Sequence, residues 1–263
     1  MKTTRWLRWK VLLLAVMVAA TTTACRARAL AEEGILRMEQ GKQTSALELF
    51  DRALRSDTQE PLALYGKGML LADEQITQEI ALAMLRQATQ QSSLPEKYRV
   101  RGFLRVAEIF ADRKDKEEAL QNLARITAAQ RLADGQNVRR QAEIYLKLKE
   151  KDRAREVLTA YLEGHGSDET TEYFLLKLYV VTMKDLKAAG KLCQRVAWQK
   201  SQNNKYLFNC ARVSAALNDY TGALALTDLY IRRSGETVPK EASELREAIG
   251  RKRGKFEPAE ADF

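Results

Sequence analysis

The chain has 263 residues and a formal net charge of +9, with 45% hydrophobic and 30% charged residues. That apolar share supports a sizeable core and excludes wholesale disorder. Only 13 Gly and 4 Pro punctuate it, which excludes a collagen-like chain and argues against an all-β one.

The first ten residues carry Lys2, Arg5, Arg8 and Lys10 and no acid, and an apolar run follows from Val11 to Ala20. The run is about half the length that spans a bilayer. A basic head followed by a short apolar stretch is the secretory signal pattern. Next come Thr22, Thr23, Ala24 and Cys25. A small residue directly before a cysteine at this distance resembles the lipobox of bacterial lipoproteins, with Thr22 standing where Leu is usual. The resemblance implies residues 1–24 as a signal peptide, cleavage after Ala24, and lipid on Cys25. Each buried methylene of such a lipid adds about 0.8 kcal/mol of membrane affinity. The body would face the periplasm. Arg26, where an Asp would mean inner-membrane retention, points by analogy to the outer membrane. An ordinary signal peptide cut after Ala29 or Ala31 is the alternative; it would erode the first helix and leave a secreted soluble protein.

From residue 25 onward the chain repeats. A small residue is followed twelve or thirteen positions later by Ala, and four later by a large apolar residue. Gly34, Ala46 and Phe50 fit, as do Gly68, Ala81 and Leu85; Ala107, Ala119 and Leu123; and Ala142, Ala154 and Leu158. Ala189 supplies a fifth alanine, with Lys177 in the small position. Ala211 and Ala223 supply a sixth, with Thr227 in the large one. The alanines are spaced 35, 38, 35, 35 and 34 apart. This resembles the tetratricopeptide repeat (TPR), a helix–turn–helix unit whose small residues let its two helices approach closely. The resemblance implies an all-α, right-handed superhelical solenoid of about six repeats over residues 25–235. Ala242, Leu245, Ala248 and Ile249 give residues 236–253 one apolar face, as a terminal capping helix needs. Residues 254–263 read as a disordered tail.

Little chemistry is on offer. His165, between Gly164 and Gly166, reads as a solvated loop histidine, and no metal-ligand spacing or Gly-rich phosphate loop stands out. An enzyme, a metal site and a cofactor are therefore not expected. Cys193 and Cys210 fall at core-facing positions of neighbouring helices. They read either as two small buried hydrophobes or, in an oxidising compartment, as a disulfide.

Solenoids of this kind bind partners in a concave groove lined by the first helix of each repeat. Indexing from the small residue places Ile35, Met38, Tyr65, Met69, Leu104, Leu146, Phe174, Leu178, Val181 and Phe208 on that groove. Alternatively, part of this apolar stripe is packing between repeats, because an indexing error of one rotates a helical position by about 100°. The family's carboxylate-clamping Lys and Asn are absent. The expected function is a lipid-anchored scaffold that binds a protein partner of the cell envelope. Its plan is similar to that of TPR lipoproteins assisting outer-membrane or pilus-secretin assembly. A nucleic-acid binder is disfavoured: four of the positive charges sit in the signal segment, the remaining +5 is diffuse, and no stripe combines aromatic and basic residues. No small-molecule substrate is implied.

Overall fold

The computed structural model describes residues 23–127, 134–196, 202–235 and 239–251. The signal segment before residue 23 and the tail after 251 lie outside the described residues. Among those described, every regular element is helical. The chain divides into two compact units, Met1–Gln130 and Arg131–Phe263.

The first unit holds three helix pairs. They are α1 (23–39) with α2 (Gln43–Ser56), α3 (Pro61–Leu71) with α4 (Gln78–Gln90), and α5 (Glu96–Asp112) with α6 (Lys116–Ala124). The second unit holds α7 (Gly135–Lys147) with α8 (Lys151–His165), α9 (Glu169–Lys177) with α10 (Leu186–Arg195), and α11 (Asn204–Ala216) with α12 (Tyr220–Arg233). It ends in α13 (Lys240–Gly250). In each pair the first helix is termed A and the second B.

The six periodic alanines, at 46, 81, 119, 154, 189 and 223, are all fully buried. Each lies on a B helix and is wholly enclosed. In the first repeat the large residue four positions on fills the seam to the next. Phe50 shows how: a methyl group on Gly34 of α1 or Gly66 of α3 would collide with its ring. A side chain at Gly68 would meet Leu85 Cγ at 2.9 Å. In close-packed interiors such fits tolerate no extra carbon without displacement. In the sixth repeat Thr227 takes this place and satisfies its hydroxyl by donating to Ala223 O at 2.7 Å. In the fifth the position is Cys193, and it is bonded to Cys210 of α11 with a Cα–Cα distance of 5.6 Å. There the seam is covalent.

The turns repeat as well. Gly41, Lys114, Lys149, Lys184 and Asn218 all have positive φ, between 57° and 75°, and each directly precedes the cap of a B helix. This left-handed residue ends the A helix by returning its N–H and the next one to carbonyls of the last turn. Lys149 N donates to Leu146 O at 2.9 Å and Glu150 N to Tyr145 O at 2.8 Å; Asn218 and Asp219 repeat the pattern. Asp115, Asp185 and Asp219 then cap the B helices by accepting from the N–H three residues on.

Within the second unit one A helix departs from this scheme. From A-helix cap to B-helix cap there are 16 residues in the fourth repeat (Asp134 to Glu150) and 16 in the sixth (Asn203 to Asp219). The fifth has 17, from Asp168 to Asp185. The extra residue is absorbed by a π turn over Leu178–Met183 that continues α9. Its closing bond runs from Asp185 N to Tyr179 O, spanning six residues where the other turns span five. Counted from its cap, the small-residue position of α9 belongs to the fully buried Leu176, not to Lys177.

α13 completes the second unit as a cap. Ala242 and Ile249 are buried, Ile249 clusters with Ala215 and Ala223, and Arg246 bonds Asp228 of α12 at 2.7 Å.

Candidate functional site: a cleft between two A helices

The second unit contains an open cleft of about 350 Å³ between α7 and α9. Arg139, Glu143 and Leu146 line it from α7. Thr170, Tyr173, Phe174 and Lys177 line it from α9, and Leu178 and Thr182 from the π turn. Its floor is apolar: Leu178 is 1% exposed, while Leu146 and Phe174 are half-buried.

The charged walls are set by local chemistry. Asp168 caps α9 by accepting from Thr170 N and Thr171 N. Its other oxygen takes the Thr171 hydroxyl at 2.7 Å and the Arg139 guanidinium at 3.3 Å. Burial opposes ionisation of Asp168, but these hydrogen bonds and Arg139 outweigh it and hold the carboxyl below its usual range. Arg139 also donates to Thr171 Oγ1 at 2.8 Å, so its charge is spent within the wall. Glu143 and Lys177 are exposed, and neither has an ion-pair partner among the described residues.

Of the residues indexed to the groove, the structure brings Leu146, Phe174 and Leu178 together here. Val181 is half-buried in the π turn but does not line the cleft. Phe208 of α11 is half-buried and stacks on Tyr230, with ring centroids 4.8 Å apart. In the first unit Met38 and Met69 are half-buried. Ile35, Tyr65 and Leu104 are 3%, 1% and 0% exposed, so they pack between helices and present no surface. The Tyr65 ring meets that of Tyr98 on α5 at 5.1 Å, which shows why: this helical row faces the next A helix. Tyr173, Thr170, Lys177 and Thr182 are cleft residues that the indexing misses. The missed signal is the 17-residue cap-to-cap spacing. Counted from the caps, Tyr173 occupies the row of Arg139 and Phe208, and Lys177 that of Glu143 and Arg212.

Cys25 is exposed on α1 and is a free cysteine. His165 is the last residue of α8, not a loop residue; it is exposed and stacks on Tyr161 at 4.7 Å. Among the described residues no group of three His, Cys, Asp or Glu could hold a metal ion. Within the same limits, no helix is long and apolar enough to cross a membrane.

No family model matches the chain, and no curated protein does. Solved structures do. The pilF protein of Pseudomonas aeruginosa is similar over 88% of this chain and 99% of its own, at 15% identity and a TM-score of 0.56. The TPR2AB domain of yeast Sti1, in complex with pHSP90, covers 88% of this chain and 99% of its own at 13% identity and a TM-score of 0.38. A tetratricopeptide repeat protein of Parabacteroides merdae covers 86% and 99% at 14% identity and 0.35. The likeness to pilF shows the fold: the chain is an all-α protein built from TPR-like helix pairs.

Proposed function

We propose that this chain is a lipid-anchored scaffold of the cell envelope that holds a protein partner in the α7/α9 cleft and performs no catalysis. The observation that carries the reading is the cleft itself, an apolar floor left open between two A helices and rimmed by polar groups. Clefts of this composition suit an apolar or amphipathic protein segment. Placement outside the cytoplasm is supported by the basic-then-apolar N-terminus ending at Cys25. It is supported independently by the Cys193–Cys210 bond, since disulfides persist in oxidising compartments and are rare in the cytosol.

Two variants test it. Cells expressing the chain are fed an alkyne-tagged palmitate, fractionated and crosslinked. The expected outcome is label and membrane retention for the native chain, and neither for Cys25→Ser. Phe174→Ser is half-exposed and should keep its thermal midpoint while losing its crosslinked partner. A Cys25→Ser chain that still carries label and stays on the membrane would overturn the anchor. An undiminished crosslink in Phe174→Ser would overturn the cleft.

A further inference from the structure

The cleft holds two charges that nothing in the described structure neutralises. Glu143 and Lys177 each stand nine residues after the cap of their own helix, Asp134 and Asp168. They therefore occupy equivalent levels on α7 and α9, one on each wall. Both are exposed, and no ion pair joins them to each other or to a neighbour among the described residues. The contrast with Arg139 is instructive. That third charge of the wall is committed to Asp168 and Thr171 and stiffens the cleft. The apolar floor of Leu146, Phe174 and Leu178 lines the same cleft as the two free charges.

Opposite charges on facing walls do more than add affinity. Each attracts its counter-charge and repels its like, so together they favour one orientation of a bound segment and penalise the reverse. Resting on the reading of the cleft as a protein-binding site, we propose that its occupant is an amphipathic segment with one apolar anchor flanked by charges of opposite sign. The anchor sits on Phe174 and Leu178. An acidic side chain lies towards Lys177 on α9 and a basic one towards Glu143 on α7. The π turn belongs to this site, because Leu178 and Thr182 reach the cleft from it.

The test uses a display library of random twelve-residue peptides, panned in parallel on the native chain, on the double reversal Glu143→Lys/Lys177→Glu, and on Phe174→Ser. Native selections are expected to enrich an apolar residue flanked by one acid and one base in a fixed order. The double reversal is expected to enrich the opposite order. A peptide selected on the native chain should bind the double reversal about tenfold more weakly, the scale of two exposed charge contacts. Recovery of an apolar anchor without charge order, equally on both proteins, overturns the charge inference and leaves the cleft reading standing. Identical enrichment on native and Phe174→Ser proteins overturns both. A thermal midpoint recorded for each variant confirms that the panned proteins are folded.

Discussion

Single residues carry strain and charge that a helical repeat need not contain. Lys114, Lys149 and Lys184 stand in the left-handed region, where a Cβ costs about 1–2 kcal/mol, while the equivalent turn of the first repeat uses Gly41. Lys149→Gly should raise the unfolding free energy by about 0.5–1 kcal/mol, after the greater chain entropy of glycine is counted. Lys191→Gly, within α10, should lower it by about 1 kcal/mol. Urea titration of both variants decides; a loss at Lys149 would show that the turn does not require the left-handed conformation.

Glu172 carries a different cost. It is 8% exposed; one oxygen takes the Ser167 hydroxyl at 3.0 Å and the other, Oε2, is buried without a hydrogen-bond partner. Burial, which the Ser167 hydroxyl and the charge of Arg195 only partly offset, pushes its pKa above the ordinary 4.5. The neighbouring carboxylates of Asp168 and Glu169 act in the same direction. A raised folded-state value means that this residue's contribution is fully present below pH 4.5 and is lost as pH rises through the folded value. Glu172→Gln should therefore unfold at a higher temperature than the native chain at pH 7, and the gain should shrink towards zero on acidification below pH 4.5. A difference independent of pH would exclude the carboxylate as its source.

At the scale of elements, the seam between α10 and α11 differs from the others in being covalent. The bond closes a loop of 17 residues. Loop-closure entropy for a ring of this size is worth about 3 kcal/mol. Reduction, or Cys193→Ser with Cys210→Ser, should lower stability by that amount, with faster amide exchange in α10 and α11 before α7 and α8. Unchanged exchange there after complete reduction would mean that the noncovalent seam suffices. Much at this scale is legible beforehand. Six alanines in phase, and the two cysteines on adjacent helices, mark the helix pairs because a methyl-sized contact recurs at each turn of the stack. The groove is less legible. Its indexing starts from the small residue, and in α9 one inserted residue moves that position from Lys177 to Leu176. A shift of one turns the wall by about 100°, so Tyr173 and Lys177 go unseen. Ile35, Tyr65 and Leu104 fail for another reason. Apolar side chains at helical spacing read alike whether they face a partner or the next A helix.

Across the whole molecule, the opening charge of +9 resolves into parts with separate causes. Four positive charges precede residue 25, and many of the rest are committed to ion pairs, such as Lys67 with Asp51 at 2.6 Å and Arg86 with Glu118 at 2.7 Å. Such partly solvated pairs each contribute little to stability but keep the helix surface wet.

The covalent seam also bears on how the chain behaves under load. A stack of helix pairs pulled from its ends surrenders its pairs in turn, each releasing its whole contour. The bond between Cys193 and Cys210 removes 17 residues from the extensible length. At about 3.5 Å per residue, less the 5.6 Å between the bridged Cα atoms, the oxidised chain stops about 54 Å short of the reduced one.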